Sequence, residues 1–327
     1  MPNYRLYQGQ AIFQLEDNKA EAIVEGLIYE NDTILIVAPP KMSKIVFAMQ
    51  LACNLSSGTQ FLNFLDIPRP VSVLYIATEM KDDELKDRFI RTSHFVDTNV
   101  DNLALVCTKG ANFKLNTPIG RRALNELITL YKQAPPKVVF IDSVYKAFYG
   151  SLTKDDVVNE FLTEVDRMSA EFDCAVVLVH HSKKATRDKD NMEYASSDAD
   201  TYGSQFLIGS VDHIIRLEKI RKESAPLDRF VRCETQRTGK VITDIRIRLN
   251  EPDPLYFHMI GNVETEKASV LQMLTKETEL IDISQMMKKV SLGRTKMYQC
   301  LKELLSQRLI TKEGTRTKLY GVRRSEI

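Results

Sequence analysis

Tryptophan is missing altogether from this sequence of 327 residues, an absence that points to no function by itself. Long apolar runs are also missing: no stretch of eighteen consecutive apolar residues occurs, which excludes a hydrophobic membrane-spanning segment of the usual kind. The first ten residues, Met1 to Gln10, hold no apolar signal core, so no secretory route is expected and the chain reads as cytoplasmic. The five cysteines (Cys53, Cys107, Cys174, Cys233 and Cys300) are too scattered for metal-type spacing. They read as reduced, mostly buried thiols. No internal repeat and no low-complexity tract is found.

Glycine is scarce at one telling place. The stretch Ala38-Pro39-Pro40-Lys41-Met42-Ser43-Lys44-Ile45 approaches the phosphate-loop pattern G-x-x-x-x-G-K-[ST]. It lies between an apolar run expected as a strand, Thr33 to Val37, and an apolar run expected as a helix, Ile45 to Leu55. Lys44 fits the pattern. Ala38 and Ser43 stand where glycines would let backbone N–H groups curl around a phosphate. Ile45 stands where a hydroxyl would hold Mg²⁺ and offers no oxygen. A helix N-terminus and Lys44 would still attract an anion, which makes Pro40, Lys41, Ser43, Lys44 and Ile45 the candidate phosphate cradle.

What is present is the balance of a soluble globular protein, 43% hydrophobic and 27% charged. Lys and Arg number 45 against 44 Asp and Glu, yet the charge is uneven. From Lys267 to Ile327 it sums to +7, and the preceding residues carry −6. A basic tail on a mildly acidic body points to an anionic partner for the tail.

Four strongly apolar strands are expected: Thr33 to Val37, Val71 to Thr78, Lys137 to Ile141 and Cys174 to Val179. A shorter one covers Leu103 to Cys107. Helices are expected at Lys81 to Ser93, Thr117 to Tyr131 and Asp155 to Phe172, with a weak one from Glu16 to Gly26. Continuously apolar strands separated by helices predict an α/β fold with a mostly parallel sheet covered on both faces. Ser182 to Gly203 reads as a long functional loop. Strands at Asp212 to Leu217, Arg229 to Glu234 and Val241 to Leu249 alternate more and are expected to be antiparallel. Asn250 to Val263 reads as a last edge and a linker. The predicted domains are therefore 1–263, with a short N-terminal extension over 1–25, and 264–327.

In open parallel sheets, ligands bind beyond the carboxyl ends of the strands. The residues that follow the four strong strands are the Lys44 loop, Glu79, Asp142, and the pair His180 and His181. A carboxylate such as Asp142 can hold Mg²⁺ through water, and one such as Glu79 can orient and deprotonate an attacking water. A histidine beside a γ-phosphate can sense it. Alone, each is an ordinary cap or core residue. Together they describe a nucleotide site or its remnant.

These residues also carry a resemblance. The Pro-Pro-Lys loop, Tyr75-Ile76-Ala77-Thr78-Glu79, Val138-Val139-Phe140-Ile141-Asp142-Ser143 and Val179-His180-His181-Ser182-Lys183-Lys184 resemble the RecA-fold ATPases of the RepA-like and DnaB-like hexameric helicase group. The likeness runs from about Glu25 to Leu249. It implies ATP and Mg²⁺ as cofactors, with Lys44 on the β- and γ-phosphates, Glu79 as base, Asp142 as the metal-side carboxylate and His180 or His181 as sensor. It implies DNA as partner, and a homo-oligomer that can close as a hexameric ring. Arg237, with Lys240 second, is where a neighbour's site would be completed. Lys183, Lys184, Arg187 and Lys189 would touch single-stranded DNA. Ile45 puts hydrolysis in question.

The tail pattern is three short helices, the third at Arg294 to Ser306, and a hairpin, which resembles a winged helix–turn–helix. Arg294 and Lys296 would begin the reading helix, and Arg316 and Lys318 would lie on the wing. Three functions stay open: a helicase-like ATPase acting in replication or recombination of a plasmid, phage or mobile element; a non-catalytic adaptor or initiator that kept the fold; and a transcription regulator.

Overall fold

A computed structural model of the chain describes residues 8, 20–131, 135–182, 205–219, 226–235, 245–275, 277, 280–290, 292, 294–306, 310–314 and 319–322. The chain begins with a small hairpin, β1 (Ala22–Val24) and β2 (Ile28–Tyr29). The expected weak helix is therefore absent from 20–26. Gly26, at a φ of 74°, makes the turn, and Ile23, Val24, Leu27 and Ile28 are buried, so packing of a two-stranded unit overrides a weak local preference.

The large sheet is built from β3 (Thr33–Ala38), β4 (Val73–Ala77), β5 (Leu103–Cys107), β6 (Val138–Asp142), β7 (Ala175–His181), β8 (His213–Lys219), β9 (Asp228–Thr235), β10 (Ile245–Asn250) and β11 (Tyr256–Asn262). Their spatial order is β11-β10-β9-β8-β3-β7-β6-β4-β5. From β8 to β5 every pairing is parallel, and from β8 to β11 every pairing is antiparallel. The expected α/β architecture is thus observed, with β8 as the strand where the sheet changes character.

Residue parity divides the core. Ile34, Ile36, Tyr75, Phe140 and Val179 face one apolar layer, together with α1 (Lys44–Ser57) and Leu85 of α2 (Asp82–Ser93). Leu35, Val37, Ile76, Ile141 and Leu178 face the other. That second layer is covered by α3 (Pro118–Leu130), α4 (Val144–Ala147), α5 (Asp155–Phe172) and α6 (Gln205–Gly209). Crossover helices on both faces leave the carboxyl ends of the parallel strands open at one edge.

The antiparallel extension curls over α1. Phe47 packs against Phe257 with ring centroids 6.2 Å apart. The buried Gln50 amide closes the contact, donating to the Phe257 carbonyl at 2.9 Å and accepting from its N–H at 2.7 Å. No linker follows: α7 (Val263–Thr275) starts directly after β11, and Pro252 and Pro254 lie in the β10–β11 turn. The expected linker was inferred from those prolines, which a tight turn also accommodates.

Beyond α7 come β12 (Ile281–Asp282), α8 (Ile283–Lys289), α9 (Arg294–Ser306), β13 (Ile310–Glu313) and β14 (Leu319–Val322). The three strands pair in the order β12-β14-β13. Met286, Met297, Leu301, Leu304 and Tyr320 share an apolar core of their own. Asp282 caps α8 through a reciprocal pair of bonds with Gln285.

Candidate nucleotide site

The loop after β3 folds as a phosphate cradle would, with side chains in the place of glycine. Lys41 and Ser43 both take left-handed backbone conformations, φ 66° and 58°. A non-glycine residue there costs roughly 1 kcal/mol. Ser43 is the N-cap of α1, yet its side chain makes no capping bond, and the first turn of α1 carries no acidic residue. The positive end of the helix therefore faces outward uncompensated by its own chain. Ile45 is half-buried and packs against the core.

Lys44, at 6% exposure, extends to the end of β7. Its ammonium lies 2.8 Å from Nε2 and 3.1 Å from Nδ1 of His181. It can donate only to a ring nitrogen that bears no hydrogen. Burial lowers the Lys44 pKa, against the opposing attraction of Asp142 and Glu79, and Arg88 lowers it further.

Glu79 lies two residues past β4. Its Oε1 accepts the Ser143 hydroxyl, and its Oε2 is 4.0 Å from His181 Nε2. That separation is long for a hydrogen bond, so the imidazole acts on Glu79 more through its field than through a formed bond. His181 pulls the Glu79 carboxyl down most, burial opposes it, and Ser143 and Lys44 add to the pull, leaving it at about 2.

Asp142 ends β6 and is buried. The Tyr75 hydroxyl donates to its Oδ2 at 2.6 Å. Burial raises the Asp142 pKa, while the Tyr75 bond and Lys44 resist. Thr78 ties the two strand ends, donating from its N–H to the Asp142 carbonyl at 2.6 Å and accepting from the Ser143 N–H at 2.8 Å.

The structure thus brings Lys44, Glu79, Asp142 and His181 to one edge. His180 is not among them. It is buried, and strand alternation puts it on the sheet face of Val176 and Leu178, opposite His181. Of the two expected sensors only His181 faces the site. Arg237, Lys240, Lys183, Lys184, Arg187, Lys189, Arg316 and Lys318 lie outside the described residues. Arg294 is exposed at the start of α9, and Lys296 lies in its first turn.

A cleft of about 420 Å³ opens over the loop, lined by Pro40, Lys41, Ser43, Lys44, Ile45, Glu79 and His181. It is also lined by residues the sequence did not single out: Arg88 and Arg91 of α2, and Glu251 and Leu255 of the β10–β11 turn. The i, i+3 spacing puts both arginines on one face of α2. Which wall that face would meet was not written in the helix itself. A second cleft, about 550 Å³, shares Glu79 and His181 with the first and adds Lys109, Lys114, Tyr145 and Lys146.

The family model described as AAA domain matches residues 10–187, more than half of the 327. The chain belongs to the AAA domain family. Among solved structures, this AAA domain chain superposes on one titled "ATPase Domain of G40P" with a TM-score of 0.54 at 16% identity, over 71% of this chain and 86% of that one. It superposes on "The Structure Of A DnaB-Like Replicative Helicase And Its Interactions With Primase" with a TM-score of 0.55 at 15% identity, over 76% of this chain and 65% of that one. No curated protein matches. The fold is therefore the RecA-like core of the DnaB-like ATPase domains.

Folds of this group use nucleotide with Mg²⁺ in general. The residues here suit the nucleotide better than the metal. Ile45 supplies no oxygen, Asp142 is buried beneath the Tyr75 hydroxyl, and Glu79 is engaged by Ser143. Among the described residues, no group of three or more His, Cys, Asp or Glu is arranged to hold a metal.

Proposed function

We propose that this AAA domain protein is a nucleotide-binding, helicase-like ATPase with slow turnover, acting on DNA in replication or recombination. The observation that carries the reading is the meeting of Lys44, His181, Glu79 and Asp142 at the carboxyl edge of the parallel strands. Lys44 and the N-terminus of α1 bind the phosphates. Glu79, held ionised, orients a water for attack and takes its proton. His181 lies between the two and passes the state of one to the other: a phosphate that draws Lys44 off the imidazole frees the ring for Glu79 or for the γ-phosphate.

The second cleft supports a place for nucleic acid. Tyr145 is 51% exposed, the Lys146 ammonium lies 5.6 Å from its ring centroid, and Lys109 and Lys114 line the same hollow. An exposed ring among cations offers base stacking and phosphate attraction to a single strand. The order of elements from α7 to β14 fits a winged helix–turn–helix over 264–327, with α9 as the reading helix and Arg294 at its exposed start. The titles of the G40P and DnaB-like structures favour a replication role in a homo-oligomeric assembly.

ATP turnover by the purified protein, with and without single-stranded DNA, tests the reading against Glu79→Gln. Turnover that DNA raises and Glu79→Gln abolishes is expected. Equal rates in the two proteins remove the enzyme. Ile45 and the covered Asp142 then favour a second reading, a non-catalytic DNA adaptor that binds ATP without hydrolysing it.

A further inference from the structure

We propose that the phosphates held by the Pro39–Ile45 loop are bound without a divalent cation, their charge being met by Lys44 and Arg88. The inference rests on the nucleotide reading above. It starts from a mismatch of ligands: a metal bridging the phosphates needs oxygens at the loop, and this loop supplies the aliphatic Ile45 instead. The nearby carboxylates are already engaged. Asp142 is 3% exposed and its Oδ2 takes the Tyr75 hydroxyl, while Glu79 Oε1 takes the Ser143 hydroxyl.

Cations fill the wall where the metal's charge would be needed. Arg91 is spent on Asp87 and the Pro252 carbonyl. Arg88 is half-buried on the same face of α2, lines the same cleft, and has no ion pair among the described residues. Its positive field reaches Lys44 and Tyr75. Two cations across a cleft from the open end of α1, with no anion between them, form a receptor for a polyanion. The guanidinium fork binds two phosphate oxygens at once, which a lone ammonium does not. A site of this kind binds nucleotide well and hydrolyses it slowly, because no Lewis acid draws charge off the leaving group.

Calorimetric titration of ATP into the full-length protein, once with MgCl₂ and once with EDTA, tests the inference. Dissociation constants within about twofold of each other in the two buffers are expected. Arg88→Ala should weaken binding about tenfold in EDTA, the loss of one charge-assisted contact, and Arg88→Lys should recover part of it. Binding that falls tenfold or more when the metal is removed overturns the inference and leaves the nucleotide reading standing. An Arg88→Ala protein that melts like wild type and binds ATP equally well in EDTA overturns the role of Arg88. No binding in either buffer overturns the nucleotide reading and this inference with it. The two-buffer comparison on wild type needs no variant to fold.

Discussion

At the scale of single residues, the site is a contest between burial and partners, and the two acids come out on opposite sides. Glu79 has a usual value of 4.5 and is held at about 2 in the fold. Its ionised form is favoured by folding, so it contributes stability that is fully present above pH 4.5 and is lost as the pH falls from there toward 2. Denaturant unfolding across that window should show a slope that Glu79→Gln flattens. A slope unchanged by the substitution would place the pull on Glu79 elsewhere. Asp142 runs the other way: burial raises its pKa, so its charge at neutral pH opposes folding. Asp142→Asn keeps the shape and an acceptor for the Tyr75 hydroxyl. It should stabilise the protein by about 1 kcal/mol at pH 7 in thermal melts. It should also cut any ATP turnover by at least about a hundredfold.

At the scale of elements, the outer antiparallel strands are fastened to α1 by one polar side chain inside an apolar layer. Gln50 satisfies both backbone groups of Phe257. Gln50→Leu fits the apolar pattern of α1 yet orphans a buried N–H and a buried carbonyl. It should cost roughly 2–4 kcal/mol in chemical denaturation, more than the extra apolar surface returns. If the variant is as stable as wild type, the β11 contact is not what holds the sheet over the helix. The same contact explains an error of reading. A polar residue in an apolar run looks neutral in sequence, and its partner is 207 positions away.

At the scale of the whole molecule, charge is segregated, with +7 over residues 267–327 and −6 over the rest. If the C-terminal elements carry DNA, affinity should fall steeply with salt, each neutralised phosphate contributing about −0.9 to the log–log slope on duplex. Arg294→Glu, at an exposed helix start, should weaken binding and make that slope shallower by about one, with ATP binding unchanged. Fluorescence anisotropy across a salt series measures both. An unchanged slope would move the DNA to the Tyr145 cleft, which Arg294 does not line.

The sequence by itself determined the parallel strands and their helices, because apolar runs of strand length fix local structure and burial together. It also determined that Lys44, Glu79 and Asp142 meet, since every parallel strand delivers its next residue to the same edge. The fold decided what depends on contacts between distant segments. Strand parity chose His181 over His180. The curl of β11 over α1 left no linker at 263. The packing of α2 set Arg88 over the loop, and the Tyr75 hydroxyl covered Asp142. None of these has a signature in neighbouring residues, because each is a distance between groups that the chain brings together only when the sheet closes.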